Sequence, residues 1–175
     1  MTSNPPLKWY HFTLIVSDHL EFQVPVKLHD ILDITSVKVP LENDTKRGVI
    51  DELCELVSKR EGVCDLEKLR ETVWAREDQR STGIGEGLAI PHGKCASVTH
   101  PTMAIGRPST PLDFGAIDGK PVELVILLAS PADRIADHIQ ALGKISRVMA
   151  DPAVREQAYS AETPEELFNI FSETV

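Results

Sequence analysis

The side chain best placed for chemistry in this sequence is His92, which stands between Pro91 and Gly93. Proline restricts the backbone immediately before the imidazole. Glycine lets a bulky group approach the backbone immediately after it. A neutral imidazole held in this way can act as a nucleophile, and phosphorus is one of its ordinary targets. The residues around His92 therefore predict a presented histidine and not a filler of the core.

Three alternating glycines, Gly83, Gly85 and Gly87, lead into this histidine within the segment STGIGEGLAIPHGK at 81–94. They keep side chains out of the approach path, and the N–H groups of such a loop can cradle phosphate oxygens. The spacing differs from that of a dinucleotide fingerprint, and Lys94 is not followed by the Ser or Thr of a P-loop. We interpret the glycines as room for an incoming partner and not as a nucleotide cradle.

Two further side chains could take part in the same chemistry. His138 follows the apolar run VELVILLA at 122–129, and α/β sheets place their sites beyond the carboxyl ends of such strands. Arg76 could neutralise a phosphoryl group that arrives near His92. Each also has an ordinary structural interpretation: His138 as a half-buried helix residue and Arg76 as a solvated one. The residues alone leave both interpretations open.

A metal centre is the weaker alternative. It would be built from His92, Cys95, His100 and His138, but Cys95 and His100 lack a ligand spacing that metal sites use. We therefore predict no metal and no cofactor.

Composition limits the function further. The chain has 175 residues, 42% of them hydrophobic, and a net charge of -9. These values predict one domain and argue against nucleic-acid binding, which uses a basic face. Three cysteines without a C-x-x-C pair indicate reduced thiols in a cytoplasm. No run approaches the roughly 20 apolar residues of a membrane span, so we expect no membrane insertion.

Helical periodicity and capping residues predict a series of helices. The first is one turn near Leu28, and the next covers 45–59 with Asn43 or Asp44 as its cap. The others cover 65–79, a long segment from Pro131 to 149, 152–159 and 164–172. The long helix carries one apolar stripe, formed by Ile135, Ile139, Leu142, Ile145 and Met149.

Strands are predicted at 88–90, 103–105 and 122–129, the last one central and buried on both faces. Helices separate these strands, so we predict a single layered α/β domain, a mixed β-sheet flanked by helices on both faces, at 26–175. Residues 1–25 are interpreted as an extension of unknown role, with possible strands at 10–16 and 22–26.

Taken together, Arg76-Glu77, the glycine-histidine segment, DGKPV at 118–122, PAD at 131–133 and HIQAL at 138–142 resemble a known family. They are similar to the fructose/mannitol-type enzyme IIA domain of the bacterial phosphoenolpyruvate-dependent sugar phosphotransferase system. The STGIG segment resembles its fructose and nitrogen-regulatory branch in particular. The resemblance runs from about residue 28 to the carboxyl terminus.

The resemblance implies a mixed sheet flanked by helices, with His92 as the phosphorylated histidine. It also implies that His138 is the second active-site histidine and that Arg76 supports phosphate binding. A domain of this kind accepts a phosphoryl group from a histidine-containing phosphocarrier protein. It passes the group to a IIB domain or to a regulated target protein. We see no IIB or IIC segment after the domain, which leads us to expect a freestanding IIA, with a regulatory role as the alternative.

Overall fold

A computed structural model of the chain describes residues 26–173. The extension at 1–25, with its predicted strand at 10–16 and most of that at 22–26, lies outside these residues. The helices are α1 (Leu28–Ile31), α2 (Lys46–Ser58), α3 (Leu66–Glu77), α4 (Ile135–Val148), α5 (Pro152–Ser160) and α6 (Pro164–Glu173). The strands are β1 (Leu32–Leu41), β2 (Gly83–Gly85), β3 (Leu88–Ala89), β4 (His92–Cys95), β5 (Thr102–Pro108) and β6 (Leu124–Pro131).

The six strands form one sheet in the order β1-β5-β6-β3-β2, and β4 also pairs with β6. The pairs of β1 with β5, β3 with β6 and β4 with β6 are parallel. The pairs of β2 with β3 and β5 with β6 are antiparallel. The sheet is therefore mixed, as predicted.

Strand β6 is buried at all eight positions and supplies side chains to both faces of the sheet. Leu124, Ile126 and Leu128 belong to the core under α1, α4, α5 and α6. Val125, Leu127 and Ala129 alternate with them and belong to the core under α2 and α3. Because successive strand residues face opposite sides, the continuous apolar run requires helices on both faces, which confirms the predicted layers.

The predicted helices are present, with two local corrections. Thr45, and not Asn43 or Asp44, caps α2, since its side chain accepts a hydrogen bond from the N–H of Gly48. Pro131 ends β6 instead of starting the long helix, which begins at Ile135. No helix among residues 26–173 is long and apolar enough to cross a membrane.

The apolar stripe predicted for α4 is only partly buried. Ile135 and Ile139 are 53% and 63% exposed, whereas Ile145 is fully buried. His138 and Ala141 occupy the buried face alongside Ile145. The stripe is therefore buried toward its carboxyl-terminal end, whereas two large apolar side chains at its amino-terminal end face solvent.

Strand β1 was not predicted. It is an edge strand that pairs only with β5 within the sheet, and its sequence LDITSVKVPL contains charged residues and Pro40. Proline is tolerated on edge strands because one side of the strand needs no ladder hydrogen bonds. Those polar residues masked the strand pattern.

Candidate active site

His92 begins a strand at a break in the pairing along β6. Strand β3 pairs with β6 up to Val125, and β4 resumes the pairing where His92 lies opposite Leu128. Between the two strands, Ile90 and Pro91 leave the regular ladder. The N–H of Leu128 donates to the carbonyl of Pro91 at 3.0 Å. The sheet therefore holds the backbone on both sides of the corner formed by Ile90, Pro91 and His92.

The backbone of this corner also fixes the imidazole of His92. Its Nδ1 lies 2.7 Å from the carbonyl oxygen of Ile90. A carbonyl oxygen can only accept, so Nδ1 carries the proton and Nε2 of the neutral ring carries the lone pair. Burial lowers the pKa of His92, and the charge of Arg76 acts in the same direction. Both effects outweigh the opposing Ile90 bond and Glu77, so the neutral, nucleophilic form is favoured.

The second histidine lies next to the first. The ring centroids of His92 and His138 are 5.4 Å apart, and the ring planes are inclined by 51°. His138 is 7% exposed, and its Nδ1 lies 3.0 Å from Oγ of Ser130 in β6. Burial, followed by the charges of His92 and Lys94, lowers the pKa of His138 to about 4. His138 is therefore neutral at neutral pH.

Arg76 brings a cation to the same place from the last turn of α3. Its Nη1 donates to the carbonyl of Arg80 at 2.9 Å, which steadies the guanidinium. Arg76, Arg80 and His92 line one pocket of about 350 Å³ together with Ile84, Ile117 and Leu142. The structure thus brings together the three residues that the sequence singled out: His92 with His138, and His92 with Arg76.

A buried carboxylate next to Arg76 supports the wall of this pocket, and its role was not predicted. Glu77 is 3% exposed and accepts hydrogen bonds from the backbone N–H and the hydroxyl of Thr82. It also pairs with Lys46 of α2 at 2.5 Å. Glu77 continues the i, i+4 series of Leu69 and Val73, the buried residues of α3. A carboxylate on an apolar stripe is the signal that could have revealed it.

The glycines have a different role from the one inferred from sequence. Gly85, Glu86 and Gly87 all have positive φ, and Glu86 and Gly87 form the two-residue turn between β2 and β3, as type I′ geometry requires. A Cβ on Gly83 would lie 2.8 Å from the backbone of Ala116. These glycines are explained by turn geometry and close packing, not by room for a partner.

Gly93 is likewise explained by packing. A Cβ there would lie 3.0 Å from Cγ2 of Thr72 and 3.3 Å from Cγ2 of Val73, both on α3. The glycine lets β4 approach α3 closely and so fixes His92 relative to Arg76 on the same helix. The expectation that Gly93 leaves the backbone open to an outside group was wrong.

The four side chains considered for a metal centre do not form one. Within residues 26–173, no group of three or more histidine, cysteine, aspartate or glutamate side chains could hold a metal ion. Cys95 contacts the hydroxyl of Ser97 at 3.0 Å, and His100 contacts that of Thr99 at 3.1 Å. Both side chains therefore have local polar partners.

Comparison with known proteins gives a match to the family described as "Phosphoenolpyruvate-dependent sugar phosphotransferase system, EIIA 2" over residues 30–174. The fructose-specific EIIABC component of Bacillus subtilis is 34% identical over 148 residues. That alignment covers 85% of this chain but only 23% of the relative. The chain thus spans about a quarter of that fused protein. The fructose-specific EIIA component of Haloferax volcanii is 33% identical, with 83% and 99% covered respectively.

A solved structure of a IIA protein is also similar to this chain. The nitrogen regulatory protein IIA-Ntr of Neisseria meningitidis superimposes with a TM-score of 0.75 at 32% identity. The match covers 81% of this chain and 97% of that one. Proteins with fructose-specific names and proteins with nitrogen-regulatory names are therefore both similar to this chain.

Proposed function

The chain belongs to the EIIA 2 family of the phosphoenolpyruvate-dependent sugar phosphotransferase system, and from this premise we propose that His92 is its phosphoryl acceptor. The donor is a histidine-containing phosphocarrier protein, and residues 26–175 form the phosphotransfer domain. The observation that carries the proposal is the bond from Nδ1 of His92 to the Ile90 carbonyl. It leaves Nε2 unprotonated in a pocket that also contains Arg76.

These groups account for every bond, electron pair and proton in the transfer step. Nε2 of His92 attacks the phosphorus of the donor phosphohistidine in line, so the new N–P bond forms as the old one breaks. The donor imidazole leaves with the electron pair of the broken bond. Nδ1 of His92 keeps its proton and its hydrogen bond to the Ile90 carbonyl throughout, so the phosphorylated ring takes on the positive charge that the protonated donor ring gives up as it leaves as neutral imidazole. Arg76 and His138 stabilise the charge on the phosphoryl oxygens by positioning hydrogen-bond donors around them.

Exposed apolar side chains around the site support a protein as the partner. Ile84 and Ile117 are 51% and 69% exposed and line the same pocket as His92. Ile135 and Ile139, on the helix that carries His138, are 53% and 63% exposed. Large exposed apolar residues grouped at one place are typical of a protein-docking surface.

The downstream acceptor is a IIB domain, as in a route for sugar uptake. The name of the similar Bacillus subtilis component joins A, B and C parts in one protein. A second candidate function is a regulatory IIA whose phosphorylation state controls a partner protein. The match to IIA-Ntr, which covers 97% of that regulatory protein, favours this alternative.

A cytoplasmic location belongs to the same proposal, because the phosphocarrier cascade starts from phosphoenolpyruvate. Cys54, Cys64 and Cys95 are free thiols, the usual state of cysteine in a reducing compartment.

Phosphorylation of the full chain by phosphoenolpyruvate, enzyme I and the phosphocarrier protein tests the proposal. We expect one acid-labile phosphoryl group per wild-type chain and none in His92→Gln. His29→Gln, which changes an exposed histidine of α1, is the matched control and should label as the wild type does. Undiminished labelling of His92→Gln would show that the acceptor lies elsewhere.

The downstream step separates the two candidate functions. Phosphorylated protein is mixed with purified IIB domains, and the loss of label from His92 is followed over time. Rapid transfer to a IIB domain supports the uptake function. Retention of the label, with phosphorylation-dependent binding of a protein outside sugar transport, supports the regulatory one.

A further inference from the structure

The hydroxyl of Ser130 contacts the imidazole of His138. Ser130 lies in β6 and is fully buried. Its Oγ is 3.0 Å from Nδ1 of His138, which lies eight residues later on α4. Among residues 26–173, Nδ1 of His138 is the one hydrogen-bond partner found for this hydroxyl.

The direction of this hydrogen bond follows from the needs of the hydroxyl. If Nδ1 of His138 carried the proton, the O–H of Ser130 would be left buried without an acceptor, and a buried donor without a partner is unfavourable. If Ser130 donates to Nδ1, both groups are satisfied. We propose that Ser130 donates its hydroxyl proton to Nδ1 of His138 and so holds the ring as the Nε2–H tautomer. Ser130 is then a positioning residue that acts through His138.

This tautomer gives the two histidines complementary roles. The Ile90 carbonyl keeps the proton of His92 on Nδ1, which leaves Nε2 as the nucleophile. Ser130 keeps the proton of His138 on Nε2, which makes that nitrogen a donor. A donor can bond a phosphoryl oxygen carried by His92, whereas the other tautomer would present a lone pair to an anion. The low pKa of His138 keeps this ring neutral, so its tautomer matters at neutral pH.

The donor role rests on the proposed function, but the tautomer itself can be measured without phosphate. The full chain, labelled with 15N, is examined by long-range 1H–15N correlation of the histidine rings. We expect an unprotonated Nδ1 and a protonated Nε2 for His138 in the wild type. Ser130→Ala should shift His138 toward a mixture of tautomers, and Ser130→Thr should restore the wild-type pattern.

Ser58→Ala on α2 is the control, because its hydroxyl bonds to the carbonyl of Glu55 away from the site. This variant should leave the His138 signals unchanged. A protonated Nδ1 on His138 in the wild type would overturn the proposal. The same holds if Ser130→Ala folds and keeps the wild-type tautomer.

The rate of phosphorylation tests the consequence. Loss of one such hydrogen bond should slow phosphoryl transfer to Ser130→Ala roughly tenfold, with recovery in Ser130→Thr. An unchanged rate together with a shifted tautomer would overturn the donor role of His138. Absence of labelling in the wild type would instead contradict the proposed function and leave the tautomer result standing.

Discussion

The ring nitrogen Nδ1 of His92 lies 2.7 Å from the carbonyl oxygen of Ile90. The acceptor belongs to the main chain, two residues before the histidine, with Pro91 between them. The backbone at Pro91 and His92 is held in turn by β6. The tautomer of His92 is therefore set by the path of the chain, and no neighbouring side chain is needed to maintain it.

The first prediction concerns the atom that carries the phosphoryl group. Because Nδ1 is occupied by its bond to Ile90, we expect phosphate on Nε2 of His92. Coupling between 15N and 31P in the labelled, phosphorylated protein identifies the nitrogen directly. A phosphoryl group on Nδ1 would mean that the bond to Ile90 breaks during transfer, contrary to this prediction.

The second prediction concerns Arg76. Its guanidinium is held by the Arg80 carbonyl and faces the pocket of His92, so Arg76→Gln should slow phosphorylation by roughly 10–100-fold. Arg76→Lys should recover only part of this loss, since lysine keeps the charge but not the planar fork. Rates with purified phosphocarrier protein measure both effects. Arg147→Gln, on the exposed part of α4, should retain the wild-type rate, and an equal loss there would point to net charge instead.

The candidate residues of the site could be found from sequence, because His92 has a strong local signal in Pro91 and Gly93, whereas the roles of His138 and Arg76 were expected only from the family resemblance. Proline beside His92 marks that histidine as a presented one. The apolar run before His138 marks a central strand, with His138 beyond its carboxyl end. The layered fold followed from the apolar run at 122–129, since a strand buried on both faces requires helices on both sides of the sheet, and the observed β6 is buried at all eight positions.

Other parts depend on contacts between distant residues and were missed. Gly83 and Gly93 are required by Ala116 and Thr72, which no local pattern connects to them. Ser130 is an ordinary strand residue until the fold places His138 above it. Strand β1 was not predicted because its polar residues and its proline, which suit an edge strand, remove the alternation of apolar and polar residues that marks a half-buried strand.

The third prediction uses two glycines with opposite surroundings. Gly93→Ala would press a methyl group against Thr72 and Val73, so we expect it to lower the free energy of unfolding by about 1–3 kcal/mol. Gly143→Ala on α4 has open space around the new methyl group and should raise it by about 0.5–1 kcal/mol. Urea denaturation of both variants gives these values. Equal effects of the two substitutions would refute the packing role of Gly93.

The fourth prediction concerns the ion pair between the buried Glu77 and the partly exposed Lys46. Glu77→Gln removes the charge that Lys46 pairs with and weakens the support of Thr82, so we expect a loss of about 2 kcal/mol in unfolding free energy. Adding Lys46→Met should recover part of this loss, because it removes the unpaired ammonium. A double-mutant cycle measures the coupling, and additive effects would show that the pair contributes nothing.

The fifth prediction is the pH dependence of stability that His138 causes. Burial lowers its pKa from the ordinary 6.5 to about 4, so the native state binds fewer protons than the unfolded state between these values. The contribution of His138 to the free energy of unfolding is therefore fully present above about pH 6.5 and is lost as the pH falls toward 4. The loss amounts to about 3 kcal/mol, because a difference of one unit between the two pKa values corresponds to ~1.4 kcal/mol.

Comparison with His138→Gln isolates this contribution. Urea denaturation at several values from pH 7.5 to 4.5 gives unfolding free energies for both proteins, and carboxylates common to both cancel in the difference. We expect the wild type to lose more stability than the variant over this range, and His29→Gln to follow the wild type. Parallel curves for wild type and His138→Gln would show that His138 charges as easily in the native protein as in the unfolded chain, and the buried, neutral second histidine would then be wrong.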